Sequence, residues 1–155
     1  MSRVAVGKAV PDFRLPSTAG GEFGLKAGKG KVRVLYFYPK DNTSGCTLEG
    51  QQFNQLLPAF RRAGAQVCGI SRDSLASHAR FCAKFGFGFE LLADEDEQAC
   101  RLFDVIREKN MYGRKVLGIE RSTFLVDGAG ILRREWRKVK AEGHAAEVLQ
   151  AVKDL

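Results

Sequence analysis

Four cysteines, Cys46, Cys68, Cys82 and Cys100, are the side chains of this sequence best suited to covalent chemistry, and they lie 22, 14 and 18 residues apart. None forms a CxxC pair, so the usual zinc and thioredoxin-type dithiol spacings are absent. Each cysteine is therefore judged by its place in the chain. Cys46 follows the polar run Asp41 to Gly45 and opens a stretch with apolar Leu48, Phe53, Leu56, Leu57 and Phe60, which puts it in the first turn of an expected helix. Thr43 or Ser44 could cap that helix. An ordinary cysteine, with a pKa of about 8.5, is only about 3% thiolate at pH 7, whereas free N–H groups and the helix dipole favour the anion. The dipole supplies at most about 2 kcal/mol, near 1.5 pKa units, so full ionisation at neutral pH also needs a nearby cation. A buried, inert thiol is the other reading of Cys46.

The elements that must hold these residues follow from periodicity. Val32 to Tyr38 is a continuous β-branched and aromatic run ending at Pro39, the pattern of a strand covered on both faces. The helix that begins near Cys46 is expected to close near Gly64. Ala65 to Ser71 reads as a second buried strand, and Ser74 to Phe85 as a helix with Leu75, His78, Ala79, Cys82 and Phe85 along one stripe. Leu91 to Ala93 suits a short strand, and the acidic run Asp94 to Glu97 suits a helix start with Ala99, Leu102, Phe103 and Ile106 on its apolar face. STFLVD and ILRREWRKV flank Gly128-Ala129-Gly130 as a hairpin would, and His144 to Leu155 can form a closing helix. Phe13 and Leu15 before a Ser-Thr-Ala-Gly-Gly run suit a further hairpin at the start, and Gly-Lys-Gly around Lys29 a turn. The expected class is α/β, a mixed central sheet flanked by helices in one domain over residues 1–155.

Composition narrows the function classes. Of 155 residues, 45% are hydrophobic and 28% charged, ordinary for a folded globular chain, and no apolar run approaches the roughly 20 residues a membrane span needs. The start, MSRVAVGKAVPDF, has no apolar signal core, so a cytoplasmic protein is expected. A net charge of +7 raises nucleic acid as a partner. However, the densest basic cluster, Arg133, Arg134, Arg137, Lys138 and Lys140, alternates with Ile131, Leu132, Trp136 and Val139, which suits the solvent side of a strand. No exposed apolar stripe stands out, which leaves the oligomeric state open, with a monomer or weak dimer as the expectation.

PKDNTSGC places Pro39, Thr43 and Cys46 in a P-x(3)-T-x(2)-C arrangement, and RSTFLVD places Arg121 at the head of a strand. Both resemble the peroxiredoxin family, and the likeness runs from PDFRLPSTAGGEF to the closing helix. KNMYGRKVLGIERSTF is most similar to the bacterioferritin comigratory protein, or peroxiredoxin Q, group. The resemblance implies a thioredoxin-like fold with an added N-terminal hairpin, and a peroxidase without cofactor or metal. In it Cys46 attacks a hydroperoxide, Pro39 shields the thiol, Thr43 hydrogen-bonds the thiolate and the peroxide, and Arg121 keeps the thiolate ionised and stabilises charge on the departing oxygen. Glu49, one turn after Cys46, would orient Arg121 or lie as an exposed helix acid.

Many peroxiredoxin Q relatives carry a second thiol five residues after the first, where this sequence has Gln51. The FCAKF helix resembles that of relatives whose second cysteine lies later, which implies Cys82 as the resolving thiol and thioredoxin or a similar dithiol as the reductant. Cys68, Cys100 or an external thiol are the other candidates, and Cys82 also suits a buried core. A thiol–disulfide oxidoreductase lacks its dithiol here. The non-enzymatic reading is a basic, chaperone-like or nucleic-acid-interacting module on the same fold.

Overall fold

The computed structural model describes residues 4–28 and 30–155. The turn expected at Lys29, and the first three residues, lie outside them. The central strand is β3 (Val32–Phe37), whose Val34 to Phe37 are buried almost completely. Leu35 and Phe37 pack on one face with Phe13, Phe103 and Phe124, while Val34, Tyr36 and Tyr38 pack on the other with Phe53, Phe60 and Phe81. Coverage of both faces is why this strand reads as an unbroken apolar run.

On one side β3 pairs in parallel with β4 (Ala65–Ser71), which pairs in parallel with β5 (Glu90–Ala93). On the other side it pairs antiparallel with β8 (Ser122–Val126), which pairs with β9 (Leu132–Trp136), giving the order β5-β4-β3-β8-β9. This mixed sheet with flanking helices is the expected class. The N-terminal hairpin is present as β1 (Arg14–Pro16) and β2 (Glu22–Gly24). The register matters for chemistry: Phe37 at the end of β3 lies opposite Ser122 at the start of β8. The loop after β3 and the residue before β8 are thereby brought to the same edge of the sheet.

Several expectations change. The helix expected from Cys46 to Gly64 is two helices, α1 (Ser44–Gln55) and α2 (Leu57–Arg62), separated at Leu56. Pro58 is in the first turn of α2, where its missing N–H costs nothing, but it could not have continued α1. Thr43 occupies the cap position of α1, yet neither it nor Ser44 supplies a side-chain cap bond. By contrast Ser74 caps α3 (Leu75–Phe85) by accepting from the Ser77 N–H, and Gly86, in the left-handed conformation, ends it.

The acidic run does not open α4 (Gln98–Leu102) from within; Asp94, upstream and fully buried, accepts from the N–H groups of Ala99 and Cys100. Ile106 belongs to an unanticipated hairpin, β6 (Ile106–Met111) and β7 (Arg114–Ile119). Its two turn residues, Tyr112 and Gly113, both have positive φ, as a two-residue hairpin loop demands. α5 (His144–Lys153) closes the chain.

The basic cluster is only partly a solvated face. Arg133 pairs with Asp127 at 3.2 Å, while Arg137 donates to the carbonyls of Phe103 and Asp104 and lies over the Phe124 ring. Among the described residues no helix is long and apolar enough to cross a membrane.

Candidate active site

Cys46 sits in the first turn of α1, only 2% exposed, with its sulfur 3.5 Å from Nη2 of Arg121. Nη1 of the same guanidinium donates to Oε1 of Glu49 at 2.5 Å. One planar group thus reaches a sulfur and a carboxylate with separate nitrogens, a division its fork geometry permits and an ammonium does not. Glu49 is fully buried one turn after Cys46, its second oxygen without a partner among the described residues, so it is no exposed helix acid. Burial pushes its carboxyl up to about 7 against the opposing pull of Arg121. Burial would lower the pKa of Arg121, but Glu49 and Cys46 hold it above the ordinary value. A β-carbon at Gly45 would stand 3.1 Å from Nη2, so the bare backbone there lets the guanidinium lie against the helix start.

Lys109, on β6, belongs to the same electrostatic neighbourhood. Its ammonium donates to the Ile119 carbonyl at 2.7 Å, and burial together with Arg121 lowers its pKa while Cys46 raises it. Thr43 is placed differently from expectation. Its hydroxyl donates to the Lys40 carbonyl at 3.0 Å, so its single proton is not directed at Cys46, while its lone pairs remain available. Pro39, half-buried, terminates β3 through a trans peptide and turns the chain into the loop.

All four cysteines are free thiols. Cys68, in β4, and Cys100, in α4, are fully buried, and burial raises both thiols well above the ordinary range. Cys82 is half-buried on α3, near Thr18 of the β1–β2 turn at 3.9 Å, and lines a groove of about 920 Å³ bounded by Leu57, Phe87 and Phe89. Burial raises its thiol too. Cys46 and Cys82 therefore face different partners, Arg121 and Thr18.

A second polar cluster escaped the sequence reading. His78, one member of the expected stripe on α3, is fully buried and meets Asp41 Oδ2 through Nδ1 at 2.7 Å, with the Tyr38 hydroxyl 3.3 Å from the same nitrogen, and the Leu92 carbonyl through Nε2 at 2.9 Å. Asp41 also accepts from the hydroxyls of Tyr38 at 2.6 Å and Ser77 at 2.8 Å. Although burial opposes it, these bonds hold the Asp41 carboxyl below its ordinary value. The available signal was a lone histidine among apolar neighbours and an acid in the loop before Cys46. Ligand atoms of Asp41, Asp73 and His78 lie within 4.8 Å of one another, a spacing a metal could use, but each already meets a protein partner.

Comparison with known proteins gives a consistent result. Residues 6–135 match the AhpC/TSA family. The chain is 57% identical over 142 residues to peroxiredoxin Bcp of Xanthomonas campestris pv. campestris, covering 92% of this chain and 89% of that protein. A solved structure of Xanthomonas campestris peroxiredoxin Q superposes with a TM-score of 0.90 at 52% identity, covering 99% of this chain and 98% of that one. The same scores hold for a structure of the bacterioferritin comigratory protein of that organism, described with its alkyl peroxide reduction activity and trapped intermediate and ligand complexes.

Proposed function

The chain belongs to the AhpC/TSA family, in its bacterioferritin comigratory protein or peroxiredoxin Q group, and on that footing we propose that it is a thiol peroxidase acting through Cys46. The observation that carries the assignment to this cysteine is the Arg121 guanidinium 3.5 Å from the sulfur, itself held by Glu49. It offers positive charge and an N–H donor beside the sulfur, while the free N–H groups of the α1 start add a second favourable field.

In the proposed reaction the Cys46 thiolate attacks the terminal oxygen of a hydroperoxide, the O–O bond breaks, and the departing oxygen takes a proton to leave as water or alcohol. The sulfur is left as sulfenic acid. Thr43, its own proton given to Lys40, accepts the O–H of the incoming hydroperoxide and aligns the O–O bond with the sulfur. Pro39 fixes the loop and shields the thiol. Ionisation alone gains only about 30-fold over an ordinary cysteine at neutral pH, so positioning and charge stabilisation by Arg121 and Thr43 carry the remainder. The Cys82 thiol then attacks the sulfenic sulfur, releasing water and forming a Cys46–Cys82 disulfide, and a thioredoxin-like dithiol reduces it. Hydrogen peroxide and organic hydroperoxides are the substrate class, with the relative's alkyl peroxide activity in support of the latter. The unit is one domain, monomeric or weakly dimeric, working in the cytoplasm.

Cys46→Ser is expected to reduce dithiol-supported peroxide consumption to background with folding intact, since a hydroxyl is scarcely ionised where a thiol is. Peptide mapping after one equivalent of peroxide is expected to find Cys46 joined to Cys82. Activity retained in the serine variant assigns the chemistry elsewhere, and nucleic-acid retention without turnover favours the basic-module reading.

A further inference from the structure

The loop that delivers Cys46 is fastened to α3 at two consecutive residues. Asp41 receives His78 and Ser77, and Asn42, held at a positive φ of 61°, accepts from Lys84 at 3.1 Å. The Asp41 N–H donates to Asp73, in the turn before α3, at 3.0 Å. Asp41 lies five residues before Cys46, and His78 lies one helical turn before Cys82. Nε2 of His78 donates to the Leu92 carbonyl at 2.9 Å, while Nδ1 meets Asp41 Oδ2 at 2.7 Å and the Tyr38 hydroxyl at 3.3 Å; the same Asp41 oxygen takes the Ser77 hydroxyl at 2.8 Å. Removing either member of the pair takes from the other its shortest contact between loop and helix in a buried setting, which makes the pair a tie between them.

We infer that the Asp41–His78 pair is a latch between the Cys46 loop and the Cys82 helix, with His78 as a positioning residue: closed, it sets Cys46 against Arg121 for attack, and its opening lets Cys82 reach the oxidised sulfur. This rests on the assignment of Cys46 and Cys82 made above. In the closed form the two sulfurs meet Arg121 and Thr18, so their union exchanges these contacts for an S–S bond and shifts the segment carrying Cys46, or α3; the latch joins the loop that leads into the first of these to the second. The latch therefore governs a competition at the sulfenic sulfur. Opening leads to attack by the Cys82 thiol, forming the S–S bond and releasing water. Persistence of the closed form leaves the sulfenic acid to a second hydroperoxide, whose terminal oxygen is transferred to give sulfinic acid while the other leaves as water or an alcohol.

The experiment separates the two steps in single turnover. Cys46 oxidation is timed in a Cys82→Ser background, disulfide formation in its presence, and the sulfinic fraction is read by mass spectrometry over a series of peroxide concentrations. His78→Leu is expected to slow Cys46 oxidation about tenfold, to accelerate disulfide formation by a similar factor, and to lower the sulfinic fraction; tenfold in an equilibrium corresponds to about 1.4 kcal/mol. Asp41→Asn can keep the contacts in altered form, its amide donating to Nδ1 while the Ser77 hydroxyl turns to accept, and is expected to move both rates in the same opposed directions by a smaller factor. It keeps the question open to measurement if His78→Leu does not fold. Two rates that fall together, or do not change, in the folded variants overturn the latch. A wild-type protein that forms no Cys46–Cys82 disulfide removes the underlying assignment and the latch with it, and that is seen before any variant is made.

Discussion

At the scale of residues, the guanidinium of Arg121 is the group on which the site turns, because it serves Cys46 and Glu49 with different nitrogens. Lysine has one point of charge for two partners. Arg121→Lys is accordingly expected to lose about 10- to 100-fold in peroxide rate, the equivalent of one charge-assisted hydrogen bond of about 1.5–3 kcal/mol; stopped-flow measurement of Cys46 oxidation checks it, and an unchanged rate makes Arg121 merely structural. Glu49 yields a pH prediction. Its carboxyl, ordinarily near 4.5, is raised to about 7 in the fold by burial. Between those values the folded state keeps a proton that the unfolded state has lost, so stability falls as pH rises from about 4.5 to about 7. Glu49→Gln, neutral throughout, is expected to flatten that fall, as urea unfolding at pH 5 and pH 8 would show; an identical slope in both proteins places the shift elsewhere. The sequence made Cys46, Thr43 and Arg121 legible through motif spacing, yet it could not say that the Thr43 proton goes to Lys40, since that depends on the path of one loop carbonyl. His78 was hidden for a related reason. A histidine in an apolar stripe is legible only as buried, and its partner, Asp41, lies 37 residues away.

At the scale of elements, alternation and apolar runs foretold β3, β4 and the β8–β9 hairpin because each buries a whole face or both, whereas the stripe that marked α3 is buried only in part, with Leu75 and Ala79 exposed. The β6–β7 hairpin was not foretold. β7 is exposed at Arg114 through Leu117, so no core imposes a period on its sequence, and the only local sign was Tyr112-Gly113 at the turn. The division of the long helix at Leu56 has its local sign in Pro58, which suits the first turn of α2 and not the interior of α1. The start of α1 carries a sharper consequence. Its cap supplies no side-chain bond, so the orphan N–H groups of the first turn stay available to an anion, and Gly45 leaves room for Arg121 beside them. Gly45→Ala is expected to raise intrinsic helix propensity by up to about 1 kcal/mol. It nevertheless places a methyl 3.1 Å from Nη2, which must move the guanidinium away from the sulfur. A several-fold slower peroxide reaction with unchanged or higher thermal stability is the expected outcome, and a variant as fast as wild type would show that the guanidinium adapts without cost.

At the scale of the whole molecule, the sheet divides the protein into a part that chemistry can disturb and a part that it cannot. β3 is paired on both edges and covered on both faces, so releasing it would break two ladders and both apolar clusters. α3 buries only His78 and Phe81 fully, and the first turn of α1 has no side-chain cap. These segments open at lower cost than β3. A disulfide normally stabilises a fold, typically by about 2–4 kcal/mol, by restricting the unfolded chain; joining Cys46 to Cys82 instead draws on native packing, because each sulfur would give up its contact in the reduced protein, Arg121 for Cys46 and Thr18 for Cys82. Hydrogen exchange of the oxidised protein is therefore expected to show faster exchange over residues 40–50 and 75–85, while the amides of β3, β4 and β8 keep the protection they have when reduced. Breakage of the Asp41 to His78 contact would couple the two fast segments, so they should gain exchange together as one cooperative unit. Equal protection in the two redox states would mean that the disulfide closes without local opening, and faster exchange in the central strands would mean that oxidation loosens the core itself.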